Sequence, residues 1–170
     1  MNESVHAPLM PPTRREFLVA SGAAVAVAGC LGDDDPDLSG DVNRLAHGDI
    51  GDILVGPEGL TLYLFDLDTQ HEASSTCYDD CAASWPPLTV DEDPTTGAGV
   101  NIDLDTFVRE DGDTQVMANG WPLYYFAGDS ELGDIAGQGV EDVWWVLDEN
   151  GTRTVMTPDT RSGPSNGGPY

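Results

Sequence analysis

Lysine is absent from the chain. All six basic residues are arginine, set against 31 Asp and Glu, for a formal net charge of −25. The absence removes Schiff-base chemistry, and so few cations cannot track a phosphate backbone, which excludes nucleic acid as a partner. Histidine is nearly as scarce, with only His6, His47 and His71, and there is no Gly-x-Ser-x-Gly, His-Glu-x-x-His or phosphate-loop pattern. The expectation is therefore a protein that is not an enzyme. Long hydrophobic runs are missing too: the apolar run Phe17–Ala28 falls short of the about 20 residues that a membrane-spanning helix needs.

What is present at the N-terminus reads as an address. Arg14-Arg15 stands just ahead of that apolar run, as in twin-arginine export signals, and the run ends in Val27-Ala28-Gly29-Cys30, which resembles a lipobox. Residues 1–29 are thus expected to be a twin-arginine lipoprotein signal peptide, with Cys30 as the lipidated residue holding the protein on the extracytoplasmic face of the membrane. Cleavage would remove His6, two Arg and two Glu, so the charge of −25 stays with the exported part. Residues 30–49, with Asp33-Asp34-Asp35-Pro36-Asp37, read as an acidic tether. The tail 157–170, rich in Pro, Gly and Ser, reads as disordered.

An apolar content of 39% argues for a folded domain despite the charge. Self-repulsion at this charge is relieved when the Debye length falls to about 3 Å in molar salt. The composition resembles that of haloarchaeal proteins; an acidic interaction surface in a low-salt organism is the alternative.

The domain, expected over residues 50–156, uses one stretch twice. Leu62-Tyr63-Leu64-Phe65-Asp66-Leu67-Asp68 returns as Leu123-Tyr124-Tyr125-Phe126-Ala127-Gly128-Asp129, offset by 61 residues, so that Tyr63, Phe65 and Asp68 correspond to Tyr124, Phe126 and Asp129. Around each copy the order is the same: a hairpin signal, the Tyr-x-Phe-x-x-Asp strand, a polar loop, then a Trp-led strand beginning near Trp85 or Trp144. Asp111-Gly112 and Asn119-Gly120 are hairpin turns, and Thr76 is placed to cap a short helical turn near 77–85 that Pro86-Pro87 ends. The predicted fold is all-β: two similar antiparallel units, about 50–92 and 104–150, forming one small domain. Its predicted core is Tyr63, Phe65, Trp85, Trp121, Tyr124, Phe126, Trp144 and Trp145. Each unit alone has too few strands to bury an apolar face.

These motifs, with the Cys77–Trp85 segment running into Pro86-Pro87-Leu88 and the Asn119–Asp129 block, resemble the secreted-repeat lipoproteins described by a Tyr-x-(Phe/Trp/Tyr)-x-x-Asp motif. The resemblance covers about residues 50–150 and implies an exported, often lipid-anchored repeat domain of unknown molecular activity. Members that carry Trp-His in the closing strand differ from this chain, which has Trp144-Trp145.

Two readings of the candidate residues stay open. Outside the cell, Cys77 and Cys81 most simply form a disulfide, in a non-catalytic binding or structural module that meets a surface protein or glycan. Alternatively Cys77 and Cys81 join His71 as ligands for copper or zinc, with Met117 as an axial donor, in a metal-binding or electron-transfer accessory protein. Asp68 and Asp129 are expected to cap the turns that follow them; the alternative is a divalent-cation site with Asp66, Asp79, Asp80 or Asp134.

Overall fold

Turn chemistry sets out the first elements. The computed structural model describes residues 35–155; the expected signal peptide, Cys30 and the tail 157–170 lie outside the described residues. Strands β1 (Asn43–His47) and β2 (Gly51–Val55) form one antiparallel hairpin. Its counterpart in the second repeat is the hairpin of β4 (Leu104–Val108) and β5 (Thr114–Ala118), and β5 folds back again onto β6 (Trp121–Pro122). Asn119 and Gly120, between β5 and β6, have φ of 48° and 81°, which suits a two-residue turn whose twist matches the strands; Gly reaches that region freely and Asn tolerates it.

The motif strand β3 (Tyr63–Phe65) does not pair within its own repeat's Trp segment. It pairs antiparallel with β7 (Trp144–Val146) of the second repeat. The reverse also holds: the Pro86–Leu88 segment of the first repeat lies along the second motif, with Tyr125 N–H donating to Pro86 O at 2.8 Å and Leu88 N–H to Leu123 O at 2.9 Å. Both Trp-led segments then run on into the partner repeat's hairpin, through Leu54 N–H to Leu147 O at 3.0 Å and Val116 N–H to Leu88 O at 2.9 Å. At the centre Tyr63 and Tyr124 exchange both backbone bonds, 2.8 and 3.0 Å. The described strands are therefore all antiparallel and the two units are interleaved, each completing the other's sheet.

The first motif strand, β3, is buried along its whole length and so covered on both faces, as the bulk on alternate positions of Leu60–Phe65 predicts. Leu62, Leu64, Leu123 and Leu147 join Leu54, Val116 and their neighbours in an aliphatic cluster. Tyr63, Phe65, Trp85, Tyr124 and Trp144 join Ile53 and Val55 in an aromatic one. Trp121, Phe126 and Trp145 are half-buried at the edges of these clusters rather than inside them.

Three local expectations need correction. Residues 43–47, read as tether, belong to the sheet: β1 pairs with β2 along its whole length, and buried Asn43 donates its side-chain amide to Gly40 O at 2.6 Å and Gly56 O at 3.3 Å. The helical turn is α1 (Asp80–Ser84), preceded by Asp79 with φ 50° and no side-chain cap. Thr76 does not cap it; its amide and hydroxyl both donate to Asp68 Oδ1, at 2.7 and 2.8 Å. The second motif copy forms isolated bridges at Tyr124 instead of a continuous strand.

Candidate functional site

The motif residues meet across the repeats. The Tyr63 hydroxyl donates to Asp129 Oδ2 at 2.7 Å, and the Tyr124 hydroxyl donates to Asp68 Oδ2 at 2.5 Å. Each aspartate's other oxygen caps its own loop, Asp68 through Thr76 and Asp129 through the Ala136 amide at 3.0 Å. The capping role expected of both aspartates is thus present, joined to a role in the opposite repeat. The two tyrosine hydroxyls also accept: Gly137 N–H reaches Tyr63 at 3.2 Å, and the Ser75 hydroxyl lies 2.6 Å from Tyr124.

Ionisation follows from this burial. Both phenols are pushed well above their ordinary value, first by desolvation and then by the facing carboxylate. They stay protonated donors at neutral pH and are unsuited to general acid–base exchange there. Burial also raises Asp129, an effect that the bonds from Tyr63 and Ala136 offset in part.

Beside the two pairs the aromatic rings stack across the repeats. Phe65 lies on Trp144 at 4.0 Å, Trp144 on Trp85 at 3.8 Å, and Trp85 on Phe126 at 4.4 Å between centroids. Tyr63 and Tyr124 meet Trp85 and Trp144 edge-on at 5.4 and 5.3 Å, the favoured aromatic geometry. The stacked contacts of Phe65, Trp85, Phe126 and Trp144 thus cross between the repeats, while each tyrosine ring meets the Trp of its own repeat.

Cys77 and Cys81 form a disulfide, with Cα atoms 5.2 Å apart. The bond takes both thiolates away from metal ligation. His71 lies elsewhere, on the Asn119–Gly120 turn with its amide donating to Gly120 O at 2.8 Å; it lines a cavity of about 310 Å³ with Met117, Asp103 and Asp105 but neither cysteine. Among the described residues no group of three or more His, Cys, Asp or Glu is placed to hold a metal ion. The acids considered for a divalent cation are likewise dispersed. Asp66 holds Trp145 and Arg153, and Asp134 caps Ser130 and Glu131 at 3.0 and 2.9 Å, bonds that lower its pKa.

Two residues went unread in the sequence. Arg109, whose side chain is fully buried, donates to Gln115 Oε1 at 2.6 Å and to Cys77 O at 2.7 Å and stacks on Tyr78. Gln115 in turn donates to Leu123 O at 2.9 Å. The pair ties the disulfide loop to the second motif. Its only sequence signal is a lone Arg beside a hairpin turn in a chain poor in cations.

A groove of about 510 Å³ opens beside these groups and shares Phe126 and Asp129 with them. It lies between Pro86-Pro87 and Tyr125-Phe126, with Glu58 and Asp41 also lining it. Tyr125 is pushed up to about 12 by burial, then by Glu58 and Asp41.

No helix among the described residues is long and apolar enough to cross a membrane. No curated protein and no solved structure matches the chain. A family model described as a secreted repeat of unknown function matches twice, over residues 45–89 and 105–148. The two matches begin in β1 and β4 and end on the Trp-led segments that cross between the units, so each spans one interleaved repeat, and the chain belongs to this family of secreted repeats.

Proposed function

We propose that this protein is an exported, lipid-anchored module that binds a ligand or partner at the cell surface and performs no catalysis. One observation carries the non-catalytic part: the residues that define the repeat are spent on one another. Tyr63, Tyr124, Asp68 and Asp129 are all buried and joined in the two crossed pairs, so the repeated signature is a device for assembling the fold. Among the described residues neither histidine is bonded to a nucleophilic side chain; His47 Nδ1 accepts the Asp49 amide at 3.2 Å. The open groove at Tyr125 is left as the surface for recognition. Membership of a secreted family supports export, and the Arg14-Arg15 pair and the Cys30 tetrapeptide support the twin-arginine route and the lipid anchor. The excess of acidic residues supports a working solvent of high salt.

Fractionation tests the reading. The wild type is expected to sediment with membranes and to be digested by protease added to intact cells; Cys30→Ala is expected to release the folded domain into the medium. A Cys30→Ala protein that stays on the membrane overturns the anchor, and protection of the wild type from external protease overturns export.

A further inference from the structure

The interleaved repeats place two equivalent positions on the molecule, and they are furnished differently. Residue 145 lies opposite residue 64 in the β3–β7 pair, as residue 86 lies opposite residue 125 through the Tyr125 N–H to Pro86 O bond. One step on, Asp66 N–H donates to Val143 O at 2.8 Å as Ala127 N–H donates to Ser84 O at 2.9 Å. The correspondence makes Trp145 the counterpart of Pro86 and Asp66 the counterpart of Ala127.

In the first position the chain builds a site and fills it. Trp145 Nε1 donates to Asp66 Oδ2 at 2.8 Å, and the Arg153 guanidinium lies 4.1 Å over the Trp145 ring while bonding the same carboxylate oxygen at 2.5 Å. Aromatic face, carboxylate and cation form a closed set. At the second position Pro and Ala replace the indole and the carboxylate, and the space opens as the groove of about 510 Å³. Aromatic surface and carboxylate return there from other segments: Tyr125 and Phe126 from the motif, Glu58 and Asp41 from the edge, and Asp129, already engaged by Tyr63, also borders the groove, with no basic residue among the lining groups. Asp41 is fixed by the Thr95 amide and hydroxyl, both at 2.8 Å. Tyr125 is held close against Gly56, where a Cβ would fall 2.2 Å from its hydroxyl oxygen.

We propose that the groove between Pro86-Pro87 and Tyr125-Phe126 binds a small organic cation, an alkylammonium or guanidinium group on a compact apolar body, with the rings and the two carboxylates taking the roles that Trp145 and Asp66 take toward Arg153. Its volume suits a small molecule, and its chemistry is that of an aromatic cation site. The proposal rests on the binding-module reading and gives it a ligand class.

The test uses choline and its uncharged isostere 3,3-dimethylbutan-1-ol, titrated calorimetrically into the complete domain with its disulfide intact. Potassium chloride at 1 M screens diffuse attraction to the acidic surface, since the Debye length there is about 3 Å. The expected result is saturable one-to-one binding of choline, at least 10-fold tighter than of the alcohol. Tyr125→Leu should weaken it about 10-fold and Glu58→Gln several-fold, with near-UV circular dichroism unchanged. Equal binding of both probes, lost in Tyr125→Leu, overturns the cation assignment and leaves a binding module. Choline binding that is indifferent to both substitutions overturns the groove as its site. No saturable binding of either probe, in protein of native circular dichroism, also overturns the groove, whereas export and anchoring stand or fall on fractionation alone.

Discussion

Gly137→Ala adds one methyl group where the backbone runs against two rings of the aromatic cluster. The added Cβ would lie 2.7 and 2.9 Å from Trp85 Cη2 and Cζ3 and 2.9 Å from Tyr63 Cε1. Carbon atoms in contact rest at about 3.5–4.0 Å, so the overlap is about 0.8 Å on both rings. Neither ring yields easily: Trp85 is stacked on Trp144 and packed on Phe126, and Tyr63 is tied by its hydroxyl to Asp129. Inserting a methylene into a packed core costs about 1–3 kcal/mol. Two rigid neighbours place this site near the upper end, and about 3 kcal/mol lowers Tm by roughly 10–15 °C in a domain of this size. Thermal unfolding followed by near-UV circular dichroism measures it, with Gly48→Ala as the control. Gly48 has nothing within 4 Å of an added Cβ, so that variant should match the wild type or gain about 0.4–1 kcal/mol from a stiffer unfolded chain. A Gly137→Ala protein that melts within about 2 °C of the wild type would refute the close cross-repeat packing.

Other consequences can be measured on the same domain. Reducing Cys77–Cys81, which closes a very short loop, should cost about 2 kcal/mol by loop-closure entropy, read as a lower guanidinium midpoint with the fold retained. Arg109→Met strands buried Gln115 Oε1 and Cys77 O without their donors; a loss of about 3 kcal/mol is expected from denaturant unfolding. Asp129 has a raised pKa in the fold, so its contribution is fully present below the unfolded value of about 3.9 and is lost as pH rises through the folded value. Relative to Asp129→Asn, the wild type should therefore gain stability as pH falls from 7 toward 4, and a flat difference would contradict the burial of that carboxylate.

Much of this fold is written locally. Asp111-Gly112 and Asn119-Gly120 mark their hairpins because turns needing positive φ admit few residues, and the repeat itself exposes the two units. The alternation in Leu60–Phe65 announces a strand buried on both faces. β1 was hidden by its polarity: Asn43 is buried through its amide bonds rather than through apolar surface, and Arg44 is exposed and paired with Asp52 at 2.9 Å. The crossing of Trp-led segments between units was illegible for another reason. A Tyr-x-Phe-x-x-Asp strand suits a partner in either repeat equally, and only the packing of both units decides. The groove at Tyr125 draws residues from four separated segments, and no short window of sequence contains it.

The central claim is that each repeat's tyrosine is completed by the other repeat's aspartate, and double-mutant cycles test it most directly. One cycle pairs Tyr63→Phe with Asp129→Ala, the other pairs Tyr63→Phe with Asp68→Ala, each read by guanidinium unfolding. A hydrogen bond to a carboxylate contributes about 1.5–3 kcal/mol, so the cross-repeat cycle should show a coupling of at least about 1 kcal/mol and the within-repeat cycle one near zero. Coupling that appears between Tyr63 and Asp68 and is missing between Tyr63 and Asp129 would contradict the interleaved fold.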